Sequence, residues 1–151
     1  MAEIRVGMIM GSKSDEEVML KGAVVLDELG IGYEVVISSA HRNPERTASW
    51  VSAAKGRGIQ VIIAGAGLAA ALPGVVAAHT ILPVIGVPIA SGPLNGLDAL
   101  YSIVEMPPGV PVATVGIDNT KNAAMLAAQI IALSDGEVAR MIEVYRQQWN
   151  Q

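Results

Sequence analysis

A chain of 151 residues with a formal charge of −4 and a pI near 5.1 lacks the basic face by which nucleic-acid proteins release counterions, so any phosphate site on it has to be local. Hydrophobic residues make up 52% and charged residues 16%, with two Trp, three Tyr and no Phe; small aliphatic side chains must fill the core, and the apolar surplus points to subunit interfaces. The absence of cysteine excludes a disulfide framework, thiolate catalysis and thiolate zinc sites.

The length fits a single α/β domain spanning residues 1–151. Ile4 to Met10 is a mostly apolar run that ends in Gly11-Ser12-Lys13-Ser14-Asp15, after which Val18, Gly22, Val25 and Leu29 recur at helical spacing. Ser14 with Glu17 predicts a capping box, and Gly30 a helix stop. Tyr33 to Ile37 predicts the second strand. The loop Ser38-Ser39-Ala40-His41-Arg42-Asn43 follows, and Pro44 is placed to open a helix to about Arg57. The third unit reads as a strand from Gln60 to Ala64, the loop Gly65-Ala66-Gly67, and an alanine-rich helix interrupted near Pro73-Gly74. A fourth strand, Pro83 to Val87, leads to a short helix at Leu97 to Val104, ended by Pro107-Pro108-Gly109. A fifth, Val112 to Ile117, precedes a helix from about Ala123 to Leu133. Ser134 with Glu137 predicts a further capping box, opening a last helix at about 135–149 whose long apolar stripe suits docking on its own domain or on a neighbouring subunit.

Alternating apolar strands and helices predict a three-layer, flavodoxin-like parallel sheet of order 2-1-3-4-5 with an extra C-terminal helix. In such a sheet ligands sit beyond the carboxyl ends of the strands where strand order reverses, which brings the loops at 11–15 and 65–68 together. Gly58 to Leu97 holds no Asp, Glu, Lys or Arg, but its Gly and Pro residues cut it into pieces too short to span a membrane. With no export signal after Met1, the chain is expected in the cytoplasm.

The predicted loops carry the chemistry. Gly11 permits unusual backbone angles, Ser12 and Ser14 offer hydroxyls, and Asp15 can accept hydrogen bonds from sugar hydroxyls, although caps and helix-dipole partners have the same composition. Ser39-Ala40-His41-Arg42 sets an imidazole, able to move protons near neutral pH, beside a guanidinium able to grip phosphate with two bonds. His79 lies at a helix end, where it suits the terminal carbonyls better than catalysis, and Lys13 and Lys121 suit solvent. No metal-ligand spacing is present, and Gly65-Ala66-Gly67 lacks the dinucleotide fingerprint.

Gly11-Ser12-Lys13-Ser14-Asp15, Ser39-Ala40-His41-Arg42, Ala64-Gly65-Ala66-Gly67, Leu72-Pro73-Gly74, Leu94-Asn95-Gly96-Leu97-Asp98 and Ser102 to Pro107, in this order, resemble the N5-carboxyaminoimidazole ribonucleotide mutases of the AIR carboxylase family. The resemblance spans roughly residues 4–133. It implies a small ribonucleotide substrate whose N-carboxylate leaves as carbon dioxide and rejoins the ring at carbon 4. His41 is then the proton shuttle, Ser12 and Asp15 hold the ribose or adjacent groups, and Ser39 and Arg42 hold the phosphate. Gly67, Ala69, Ala70 and Leu72 contribute to the pocket, the last three as walls for carbon dioxide. The resemblance further implies no cofactor, no metal and a homo-octamer.

Two positions depart from the pattern, because the family commonly reads Gly-Gly-Ala-Ala-His-Leu-Pro-Gly where this chain has Gly67-Leu68-Ala69-Ala70-Ala71-Leu72-Pro73-Gly74. A second histidine is absent at Ala71, and Leu68 occupies a glycine position. Direct carboxylation of aminoimidazole ribonucleotide is the alternative activity, disfavoured by Arg42 where the animal-type relatives usually carry Lys. Carboxylation of a nicotinate-derived nucleotide and a non-catalytic nucleotide-binding module are the remaining readings.

Overall fold

The computed structural model describes residues 2–150. Five parallel strands, β1 (Ile4–Met10), β2 (Gly32–Ile37), β3 (Val61–Gly67), β4 (Val84–Ile89) and β5 (Ala113–Thr114), form one sheet of order β2-β1-β3-β4-β5, as expected. Strand order reverses between β1 and β3, which pair from Val6↔Val61 to Met10↔Gly65.

The inner strands β1, β3 and β4 are buried on both faces because successive side chains along each strand enter different cores. Met8 and Met10 join Ile63, Ile85 and Val87 under helices α1 (Glu16–Glu28), α5 (Thr120–Ala132) and α6 (Gly136–Arg146). Ile9, Ile62 and Ala64 face the other way, under α2 (Pro44–Ala54), α3 (Leu72–Ala78) and α4 (Leu97–Val104). Small residues set the spacing of the first layer. A methyl group built on Gly22 of α1 would lie 2.7 Å from Thr120 Cγ2, so α1 and α5 are in close contact there, and Ala123, Ala124, Ala127 and Ala128 of α5 are fully buried.

Several elements differ from the sequence reading, each for a local reason. β3 runs on to Gly67, because Ala66 and Gly67 still pair with Pro88 and Ile89. β5 shrinks to two residues. The Pro88 carbonyl faces that side and accepts from Asp118 N at 2.8 Å, but its nitrogen has no hydrogen to return, so the ladder cannot continue regularly. The alanine-rich segment is not an interrupted helix: residues 68–71 form turns, and α3 begins at Leu72 with Pro73 in its first turn, the position proline tolerates. Pro44 does open α2, which tightens into a 3-10 turn over Lys55–Arg57.

Both capping boxes are corrected. Ser12, not Ser14, caps the 3-10 turn Lys13–Asp15 that precedes α1, accepting from Ser14 N. At α6 the cap is Asp135, whose Oδ1 accepts from Glu137 N and Val138 N, while Ser134 Oγ donates back to Ile131 O. Asp135 also pairs with Arg5 Nη1 at 2.6 Å, tying the start of α6 to β1. Of the α6 stripe, Val138 and Ile142 are buried in the first core, while partly buried Tyr145 meets the exposed Trp149 edge-on at 5.4 Å. Among the described residues no helix is long and apolar enough to cross a membrane.

Candidate active site

Four loops meet beyond the carboxyl ends of the strands and enclose a cavity of about 410 Å³, within the range of small-ligand sites. The loop after β1 supplies Gly11, Ser12, Ser14 and Asp15; that after β2 supplies Ser39, Ala40, His41 and Arg42. Ala66 to Leu72 line the third side, and Ser91, from the loop after β4, completes it. Every residue proposed from the sequence, namely Ser12, Asp15, Ser39, His41, Arg42, Gly67, Ala69, Ala70 and Leu72, lines this one cavity. A larger hollow of about 540 Å³ at the amino ends of β4 and β5, between Ile81 and Val112, is lined by no ionisable side chain and offers no comparable chemistry.

The first loop is held by its own hydroxyls. Ser14 Oγ donates to Ser12 Oγ at 3.0 Å, and Asp15 N donates to Ser12 O at 3.1 Å, which turns the Asp15 carboxylate inward until only 8% of the residue is exposed. Burial raises its pKa above the ordinary carboxylate value, partly offset by a backbone hydrogen bond at Ser12.

The second loop is fixed from beneath by a residue that sequence reasoning missed. Thr47, fully buried on α2, shares a 2.7 Å hydrogen bond with Ser38 Oγ. Its hydroxyl also lies 3.0 Å from Asn43 O and 3.3 Å from Ser39 O. Ser39 Oγ accepts from Arg42 N at 3.1 Å, closing the turn that carries His41. A threonine one helical turn beyond Asn43 was the only signal available. His41 and Arg42 are exposed at the cavity, and Arg42 belongs to none of the three ion pairs among the described residues, so its charge is available to an anion.

The third wall is apolar. Ala70 and Leu72 are buried, Ala69 and Leu68 exposed, and Leu68 has φ +56, a left-handed conformation disfavoured for a residue with a Cβ. Ala71 stands on this wall, leaving His41 as the one imidazole of the cavity. His79 is elsewhere: its Nδ1 lies 2.8 Å from Val75 O at the end of α3, the helix-terminal role expected of it. Lys13 and Lys121 are exposed and do not line the cavity. No cluster of three or more potential metal ligands occurs among the described residues.

The cavity thus joins a guanidinium, an imidazole and a set of hydroxyls to an uncharged wall. The sequence model of AIR carboxylase matches residues 5–151. The chain belongs to the AIR carboxylase family. An N5-carboxyaminoimidazole ribonucleotide mutase of Thermotoga maritima is 57% identical over 143 residues, covering 95% of this chain and 84% of that one. That of Pyrococcus abyssi is equally similar, at 57% over 143 residues, 95% of this chain and 82% of the relative. A phosphoribosylaminoimidazole carboxylase of Schizosaccharomyces pombe is 58% identical over 127 residues, 84% of this chain but 23% of that much longer one. Among solved structures, Treponema denticola PurE superposes with a TM-score of 0.87 at 35% identity, covering 95% of this chain and 89% of that one.

Proposed function

We propose that this chain is an isomerase, an N5-carboxyaminoimidazole ribonucleotide mutase of purine biosynthesis, carrying the carboxylate from N5 to carbon 4. The observation that carries the reading is that His41, on the loop that also brings Ser39 and Arg42, shares a single cavity with an apolar wall. High identity to mutases over most of their length supports it.

The roles follow from the chemistry of each wall. Arg42 and the Ser39 hydroxyl hold the phosphate, since a guanidinium binds it with two charge-assisted hydrogen bonds. Asp15 and Ser12 accept and donate to ribose hydroxyls. With the nucleotide so placed, the bond from N5 to its carboxylate breaks, the electron pair stays on nitrogen, and His41 donates a proton there. Carbon dioxide is held against Ala69, Ala70 and Leu72, with Gly67 lining the same cavity. Carbon 4 attacks it, and His41 takes back the ring proton, so the cycle consumes and releases no proton. The reaction needs neither cofactor nor metal from these residues.

A homo-octamer in the cytoplasm completes the reading. Its support is the apolar surface left uncovered on this subunit, including Leu97, Tyr101 and Val104 along α4 and Leu133 and Trp149 beside α6. The second of these patches fits docking of the C-terminal helix on a neighbouring subunit.

Direct carboxylation of aminoimidazole ribonucleotide is the second reading, favoured by the likeness to the fission-yeast carboxylase. A parallel assay decides. Purified protein is given N5-carboxyaminoimidazole ribonucleotide, or aminoimidazole ribonucleotide with bicarbonate, and formation of the 4-carboxy product is followed. Turnover of the first alone is expected. Productive turnover of the second alone assigns the direct carboxylase, and inactivity with both leaves a nucleotide-binding module or a carboxylase of another nucleotide.

A further inference from the structure

The loops after β3 and β4 interlock through two glycines, each making room for a residue of the other loop. A methyl group built on Gly67 would lie 3.0 Å from Ser91 Cβ, and one built on Gly92 would lie 2.8 Å from Leu68 Cδ2. Gly92 itself has φ +68, so the notch that receives Leu68 is a conformation few other residues adopt. Leu68 in turn is held at φ +56 and remains 51% exposed at the cavity.

This arrangement is a poor bargain for folding alone. A branched apolar side chain half in water, on a strained backbone, contributes little burial, and strain of that kind persists where the surrounding structure imposes it for use. The next residues cannot do what Leu68 does. Ala69, Ala70 and Ala71 end at Cβ, and the short bonds Ala70 N to Leu68 O and Ala71 N to Ala69 O keep their backbone turned tightly on itself. Leu68 is the one long side chain on the exposed part of the apolar wall.

We infer that Leu68 is a shielding residue: its isobutyl group, seated in the Gly92 notch, screens the apolar wall from bulk water while carbon dioxide is free of both nitrogen and carbon. The inference rests on the mutase reading. Between the two bond changes the protein holds an uncharged molecule that no hydrogen bond can retain strongly, and its retention depends on exclusion of water and on a blocked exit. Escape followed by hydration gives bicarbonate and a proton and leaves aminoimidazole ribonucleotide, so a leaky site hydrolyses the substrate that a tight one isomerises. The polar wall cannot provide this screen, because its hydroxyls and charges attract water.

The test measures partition, which a merely structural role would not move. N5-carboxyaminoimidazole ribonucleotide carrying a ¹³C carboxylate is turned over in unlabelled bicarbonate by the wild type, Leu68→Gly, Leu68→Ala and Leu68→Met, with the enzyme-free loss subtracted. Two quantities are read: aminoimidazole ribonucleotide released per 4-carboxy product, and label retained in that product. Glycine adopts the existing backbone without strain, so Leu68→Gly folds with a melting temperature at or above the wild type. Removal of the isobutyl group in Leu68→Gly and Leu68→Ala is expected to raise release by about fivefold or more and to lower label retention, with Leu68→Met close to the wild type. Equal partition in all four proteins, with the wild type active, overturns the role of Leu68 and leaves the mutase reading intact. A wild type that forms no 4-carboxy product overturns both.

Discussion

Asp118 Oδ1 accepts a 2.9 Å hydrogen bond from Ala90 N, so a side chain beyond β5 pins the loop that brings Ser91 to the cavity. Asp118 has φ +61, a left-handed angle that Asp tolerates better than most residues, and its own N–H bonds to Pro88 O. The carboxylate therefore stands in for the ladder that ends with β5. Asp118→Ala loses the acceptor and keeps the unfavourable angle, which is expected to cost roughly 1–2 kcal/mol. Urea unfolding measures this, and a KM increase without a matching fall in kcat checks that the loss reaches the Ser91 side of the site. Asp118→Asn retains an acceptor oxygen and is expected to fall between the two.

His41→Asn removes the proton carrier and leaves the phosphate grip. The expected result is a fall in kcat of about 10²- to 10⁴-fold, the usual worth of a positioned acid–base group. Nucleotide affinity by calorimetry should stay within about threefold of the wild type, as expected for loss of a group that acts mainly in the chemical step. Normal turnover by this variant removes His41 from the mechanism.

Asp15 is poised against the stability of its own fold. Its folded-state pKa is raised by burial, so its favourable contribution to stability is complete below the unfolded pKa, about 3.9, and is lost as pH rises through the folded value. At pH 7 the buried charge is therefore a burden. Asp15→Asn is expected to melt at a higher temperature than the wild type at pH 7, with the gap closing as pH falls toward 4. The same variant should bind the nucleotide roughly tenfold or more weakly, as charged hydrogen-bond partners contribute that much. Melting curves at both pH values and one titration check the pair of effects.

Gly86 on β4 sits where α4 and the segment before β5 converge. A methyl group there would overlap Ile103 Cγ2 and lie 2.8 Å from Val112 Cγ1, both on branched side chains with few alternative rotamers. Gly86→Ala is expected to destabilise by about 1–3 kcal/mol through overpacking. A lower urea midpoint with an unchanged slope is the signature.

Continuous apolar runs and punctuating glycines made the sheet order legible, because a parallel sheet buried on both faces writes itself into sequence as unbroken hydrophobic strands. The same rule overextended β5. Val112 to Ile117 is apolar enough for a strand, but its length is decided by Pro88 on another strand. Caps were misplaced by one or two residues because Ser12, Ser14, Ser134 and Asp135 all suit the role by composition, and only geometry chooses. The cavity's three principal loops were visible in the motifs, since each follows directly on a strand. Thr47, Ser91 and Asp118 were not, because each works by reaching a segment that folding alone brings near. Leu68 was visible as an odd residue at a glycine position, while its angle and its Gly92 notch were not.

The interior place of β1, between β2 and β3, and the late arrival of α5 impose a schedule on synthesis. The strand made first must wait for both neighbours, and α1 waits longer still for the helix that covers it at Gly22. Roughly ninety residues separate the two helices, so at about 5–20 residues per second a nascent chain carries Met19 and Leu26 without their α5 cover for roughly 5–20 s. That interval invites chaperones that shield apolar segments on the ribosome. A message cut short before Thr120 never ends it, and its product is a target for proteolysis instead of a slower enzyme.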